Sequence, residues 1–191
     1  MADATMVGKL LVANPRLVDP NFDRTVVLVL AHSEDGALGV VLDRPSDTEV
    51  AAVLPSWAER AVPPARMFVG GPVGRDSVIC VARVPAPAAL EAVAGDDVWQ
   101  AIAGDLGTLD LDTDADRLDD TVGELRIFVG YSGWSGGQLE AELLAGGWWV
   151  LDALPEDPFT PEPAELWSRV LRRQGGELAL VSRYPPDPTL N

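Results

Sequence analysis

Cysteine and histidine are almost absent from this 191-residue chain, which holds one of each, Cys80 and His32. A lone cysteine excludes an internal disulfide and fits a reducing compartment. Two such ligands fall short of the four that a structural zinc site takes. Basic residues are also scarce, 14 Lys+Arg against 30 Asp+Glu, for a formal net charge of −16. Lys and Arg supply most non-specific affinity for nucleic acid, so direct DNA binding is disfavoured. The same charge keeps a chain off anionic membranes. No apolar run approaches the roughly 20 residues that span a bilayer. The N-terminus, MADATMVGKLLVANP, has neither the cationic lead nor the apolar length of a signal peptide. A soluble cytoplasmic protein of one domain, 1–191, is expected.

What is present reads as mixed strands and helices. Lys9–Ala13 is an expected strand, stopped by Asn14-Pro15. Thr25–Ala31 is β-branched and continuous, as a strand buried on both faces would be. With Leu38–Leu42 across the SEDG turn it predicts an antiparallel hairpin. Ser46-Asp47-Thr48-Glu49 has capping-box spacing and predicts a helix carrying Val50, Val53, Leu54 and Trp57 on one face, which Pro55 must kink or restart. Ser77–Val84, Leu106–Leu111, Leu125–Val129 and Trp148–Leu151 are further strands, and Pro87–Ala94 a short helix. Thr160-Pro161 predicts a helix start, with Gly175-Gly176 ending that helix. Leu178–Val181 is ambiguous, and Pro185–Pro188 begins an extended tail. Without a regular βαβ alternation, the pattern is α+β.

The densest local signal is RIFVGYSGWSGGQLEAELLAGGWWVL, Arg126–Leu151. It reads as a strand, a glycine-rich turn, a short acidic helix and a strand. Gly133-Trp134-Ser135-Gly136-Gly137 fits G-x-S-x-G, the nucleophile-elbow pattern of hydrolases. That order requires a histidine after the serine, and His32 lies before it. Ser135 and Gln138 also have capping-box spacing, which would occupy the hydroxyl at a helix start. The same turn could hold an anion at a helix N-terminus, but no phosphate-binding glycine fingerprint is present. Asp110, Asp112, Asp114 and Asp116 suggest a cation loop, yet Ala115 and Thr121 stand where an EF-hand needs Gly and Glu. A solvated acidic loop is the reading. Cys80, inside an apolar strand, reads as a buried inert thiol. Arg169, Arg172, Arg173 and Arg183 form the one basic cluster, either a helix C-terminal charge set or a small anion site.

Several separated blocks then resemble the YqgE/AlgH family of bacterial proteins. Gly130-Tyr131-Ser132-Gly133-Trp134 with Gly137-Gln138-Leu139-Glu140 resembles its G-Y-A-G-W and G-Q-L-E. Leu10–Pro15 with Asp19-Pro20, Phe22 and Arg24 resembles its opening block. Gly39–Pro45 resembles a block ending N-R-P, Gly70–Val73 matches G-G-P-V, and Pro188–Asn191 resembles P-S-L-N. Asp43 replaces the usual Asn and Ser132 the usual Ala. The resemblance implies an α+β fold with a complex, bifurcated sheet forming a pseudo-barrel flanked by helices. It supplies no established activity, although some relatives carry the label of transcriptional regulator for alginate synthesis. No catalytic residue, metal or cofactor is assigned. The expected function is non-enzymatic binding of a small molecule or a protein partner, with an indirect regulatory role. The candidate surface is Asn14, Asp19, Arg24, Asp43, Arg44, Gly71, Tyr131, Trp134 and Gln138. The alternatives are a hydrolase using Ser135 and His32, or a direct transcriptional regulator.

Overall fold

A computed structural model describes residues 5–17, 19–86, 97–118 and 121–184. The expected helix Pro87–Ala94, the tail from Pro185 and the PTLN block lie outside these residues. Strands β1 (Lys9–Ala13), β2 (Val26–Ser33), β3 (Gly36–Val41), β4 (Pro45–Glu49), β5 (Arg66–Val69), β6 (Val73–Arg83), β7 (Trp99–Ala103), β8 (Leu106–Leu109), β9 (Leu125–Ser135) and β10 (Trp148–Asp152) form one curled sheet. Its helices are α1 (Val50–Val53), α2 (Gln138–Leu144), α3 (Leu166–Gln174) and α4 (Gly176–Val181). The strands run in the order β10-β1-β2-β3-β9-β6-β8-β7, with β5 joining β9 from the side and β4 joining β5. The result is an α+β half-barrel with a forked sheet.

The fork is at β9. Its first half lies between two partners, β6 antiparallel through Ile79↔Phe128 and β5 parallel through Phe68↔Phe128. Its second half pairs with β3 through Ala37↔Trp134. Leaving β5, the chain passes so close to β9 that a Cβ on Gly71 would stand 2.2 Å from the Tyr131 carbonyl. One on Gly70 would meet the Gly130 oxygen at 2.3 Å. Only glycine permits that approach. Gly70 then bridges the fork, its N–H donating to Val129 O and its oxygen accepting from Val41 N–H, each at 2.9 Å.

Both faces of the sheet are covered, which is why the central strands read as continuous apolar runs. Leu10, Val12, Val26 and Leu28 pack under Leu166, Trp167, Val170 and Leu171 of α3. The alternate residues Leu11, Val27 and Val29 pack with Leu139 of α2, Trp134 and Trp148. A third cluster joins Cys80, Ala82 and Ile127 to Trp57, Trp99 and Leu118. The hairpin forms as expected, with β2 and β3 antiparallel.

Three local expectations change. Ser46–Glu49 is the polar strand β4, because pairing with β5 takes its backbone and Ser46 Oγ accepts from Thr48 N–H within a local turn. One α-helical turn follows, a 3-10 helix then restarts at Pro55 and runs to Arg60, and of the expected face Val50 and Trp57 are buried while Val53 is exposed. Gly130–Ser135 is strand, and the true turn is only Gly136-Gly137. Thr160 does not cap a helix that starts at Pro161. Its carbonyl binds Arg126 and its hydroxyl oxygen accepts from Arg169, so helical structure starts later, at Pro163. The ambiguous Leu178–Val181 lies in α4.

Arg126 ties the sheet to its flanking loops. It is 2% exposed and lies 4.3 Å from the centre of the Phe68 ring. It donates to three carbonyls, Pro63 at 2.8 Å, Pro158 at 3.1 Å and Thr160 at 2.8 Å. Burial pulls its pKa down to about 10, still far above neutrality, so the guanidinium stays charged. Arg126→Met leaves these carbonyls without a donor, and hydrogen bonds to a charged group are worth about 1.5–3 kcal/mol each. Urea unfolding should show a loss of about 3 kcal/mol or more, with Arg126→Lys intermediate. A variant as stable as the wild type would show that these bonds contribute nothing net.

Candidate functional site

Three of the separated blocks converge on one cleft of about 260 Å³. Pro20 and Asn21 enter it from the turn after β1, Arg44 from the link between β3 and β4, and Pro45 from the start of β4. Gly71, Pro72 and Arg75 come from the start of β6, with Val41 and Val69 as apolar floor. Asp19 positions Asn21 by accepting its backbone N–H at 2.8 Å and its side-chain amide at 3.0 Å. The Arg44 guanidinium is held by the Asp23 carbonyl, and the Arg44 carbonyl accepts from Val69 N–H at 2.8 Å. Arg75 rides on a bulge where β6 slips against β9 between Val73↔Tyr131 and Val78↔Val129. The Tyr131 ring lies under that bulge, 2.5 Å from where a Cβ on Gly74 would stand. Among the described residues, the exposed Arg75 side chain has no hydrogen bond or ion pair.

Asp43, beside Arg44, faces inward. It is 5% exposed and accepts from Val26 N–H at 3.4 Å. Burial lifts its carboxyl to about 7, against the opposing pull of Arg44. At neutral pH it is therefore only partly ionised.

The remaining candidates lie elsewhere. Asn14 closes its own turn, with Oδ1 accepting from Arg16 N–H at 3.0 Å. Arg24, the one non-glycine with positive φ among the described residues, sits 4.8 Å from the Trp167 ring centre and donates to Tyr184 O at 2.7 Å. It fastens the C-terminal helices. Trp134 and Gln138 meet at Glu142, whose Oε2 accepts from the indoles of Trp134 at 3.0 Å and Trp148 at 2.8 Å. Its Oε1 accepts from Gln138 at 3.0 Å. Phe22 packs on both indoles, 6.1 and 5.3 Å between ring centres. This is a filled aromatic cluster.

Ser135 and His32 have separate partners. The Ser135 N–H and hydroxyl both go to Gln138 Oε1, at 3.1 and 3.3 Å, while His32 Nε2 lies 2.9 Å from Glu140 Oε1. No hydrogen bond joins Ser135 to His32 among the described residues. Ser135 ends a strand without the positive φ of a strained elbow. The N-cap is Gly137, so only the Gln138 half of the capping box forms. Asp110 and Asp114 accept from backbone N–H groups two residues on, and no metal-binding group of His, Cys, Asp and Glu occurs among the described residues. Cys80 is buried, which raises its thiol pKa. In the basic cluster, Arg173 grips both Asp157 oxygens at 2.7 Å. The roomier recess of 670 Å³ beside it is charge-balanced, since its Arg83 pairs with Asp105 and Glu124.

The cleft thus unites Arg44 and Gly71 directly, with Asp19, Asp43 and Tyr131 supporting it from behind. Asn21 and Arg75 were missed because neither belongs to a motif with chemistry of its own. Glu142 carried one readable signal, its i,i+4 spacing from Gln138.

The AlgH-like family model matches residues 10–179. A UPF0301 protein of Streptomyces avermitilis is 48% identical over 189 residues, covering 98% of this chain and 96% of its own length. One of Thermobifida fusca is 49% identical over 192 residues, covering 98% and 96%. A crystal structure of a Corynebacterium diphtheriae protein superposes with a TM-score of 0.85 at 31% identity, covering 96% of this chain and 95% of that one. The solution structure of AlgH from Pseudomonas aeruginosa gives 0.69 at 30% identity, covering 97% of each.

Two predictions test these assignments. Asp43 has a folded pKa above its unfolded value. Its contribution is therefore fully present below about pH 4 and is lost as pH rises towards 7. Asp43→Asn keeps an acceptor for Val26 and removes the ionisation. Its stability advantage should grow by roughly 1.4 kcal/mol per pH unit between pH 5 and 7 and then level off. Denaturant titrations with parallel pH profiles for the two proteins would refute a buried, titrating Asp43. Glu142→Ala should cost about 3 kcal/mol and alter tryptophan fluorescence, with Glu142→Gln milder. Unchanged emission would mean the indoles do not depend on this carboxylate.

Proposed function

We propose that this chain, which belongs to the AlgH-like family, is a non-enzymatic binding protein whose ligand or partner group seats in the cleft of Asn21, Arg44, Gly71 and Arg75. One observation carries this reading: blocks far apart in sequence meet there and present polar groups with spare donors beside apolar walls. Polar groups at turns over an apolar floor are what a binding recess requires. The other concentration of family residues, around Trp134 and Glu142, satisfies its own hydrogen bonds and is packed by Phe22.

A cytoplasmic location accords with the lone buried Cys80 and with the lack, among the described residues, of a helix long and apolar enough to cross a membrane. If the protein regulates transcription, the route is indirect. A charge of −16 opposes approach to DNA. Regulation would then pass through occupancy of the cleft and a partner that senses it.

Val69→Trp tests the site, because Val69 is 45% exposed and borders the cleft. Metabolites that raise the melting temperature of the wild type should lose that effect in the filled variant. A ligand at 100 times its dissociation constant stabilises by about 2.7 kcal/mol, which a melting scan resolves. Compounds that stabilise both proteins equally would move the site elsewhere, and tight binding to duplex DNA at moderate salt would end the indirect route.

A further inference from the structure

We infer that the cleft takes a small organic oxyanion, a carboxylate or phosphate on a compact apolar body. This inference rests on the cleft being the binding site. Its warrant is an imbalance of charge. Acidic residues outnumber basic ones by 30 to 14, and most guanidiniums in the structure are engaged. Yet two arginines face one recess with, among the described residues, no carboxylate paired to either. Asp43, next to Arg44 in sequence, is turned inward to Val26 N–H, and Asp19 is engaged with Asn21.

The two arginines differ in a way that suits capture. Arg44 is fixed by the Asp23 carbonyl and by the backbone bond from its own carbonyl to Val69. It supplies a positioned charge. Arg75, unpaired on its bulge, is free to close over an anion already resting on Arg44. Guanidinium forks match the two oxygens of a carboxylate or phosphate, and such charge-assisted bonds are roughly twice as strong as neutral ones. Asn21 adds a further amide at the rim, oriented by Asp19.

The walls limit the rest of the ligand. Pro20, Pro45 and Pro72, with Val41 and Val69, give flat apolar surfaces and few donors. At about 260 Å³ the recess is below the range typical of drug-sized ligands, roughly 300–1,000 Å³. The chain's overall negative field opposes the approach of an acidic protein far more than that of a monovalent or divalent small molecule. A small acid is therefore favoured over an acidic protein segment.

The test is an amide chemical-shift titration of the full chain with three probes: inorganic phosphate, benzoate and its neutral counterpart benzamide. Phosphate, benzoate or both should shift the amides of Asn21, Gly71 and Arg75, and whichever binds names the oxyanion. Benzamide should bind about tenfold more weakly than benzoate, and Arg75→Gln should weaken anion binding by about tenfold or more. Arg75→Lys should fall between, and added chloride should weaken every anion. Arg75 is exposed, so these variants keep the fold. Equal affinity for benzoate and benzamide would overturn charge recognition while leaving the cleft as the site. Failure of every anion to move the cleft amides at millimolar concentration would overturn the inference itself. An acidic peptide that displaces both anions would overturn the small-molecule assignment and leave the cleft standing.

Discussion

The contact of two backbones at Gly70–Gly71 and Gly130–Ser132 is the constraint from which the rest of the architecture follows. A strand offers hydrogen bonds on two sides, yet β9 meets three neighbours along its length. That is possible because β5 ends at Val69↔Val129 and β3 takes over at Gly39↔Ser132. Side chains at this crossing would hold the backbones apart, and the sheet could not fork. Once it forks, the chain leaving β5 must turn outward over β9. That turn carries Pro72 and Arg75 to the place where the ends of β1 and β3 already lie. The cleft is thus a by-product of how the sheet divides.

This arrangement separates two kinds of residue. Trp134, Gln138 and Glu142 close on one another and seal α2 to the sheet. Asn21, Arg44 and Arg75 point into solvent-filled space and keep capacity for a further partner. Residues of both kinds look alike in sequence, being polar or aromatic and near glycine. Only the count of satisfied donors distinguishes them.

Much of the scaffold was legible beforehand, for physical reasons that can be named. The strands Lys9–Ala13 and Val26–Ser33 showed because both faces of the sheet are covered, leaving continuous apolar runs. Asp-Gly before Leu38 marked the hairpin, although the turn itself is Glu34-Asp35 and Gly36 opens β3, where a Cβ would stand 2.1 Å from the Trp134 carbonyl oxygen. Two local patterns misled. Gly130 and Gly133 disfavour strand on their own; Gly130 sits at φ +72° where β9 slips against β6, and pairing with distant neighbours on either side carries the strand through. Ser46–Glu49 has the letters of a capping box, but pairing with β5 settled its backbone. The site was harder still. Arg44 and Gly71 lay in recognisable blocks, whereas Arg75 depends on a bulge, and a slip of register leaves no mark in a single sequence.

The hold that Arg126 has on its surroundings carries an evolutionary consequence. Its acceptors are all main-chain carbonyls, of Pro63, Pro158 and Thr160. A salt bridge can be broken by change at either end, but every residue type brings a carbonyl. The loops that meet this guanidinium are therefore free to drift in sequence so long as they keep their path. The burden of preservation falls on one position, and related chains should differ widely at the three acceptors while retaining arginine at the donor.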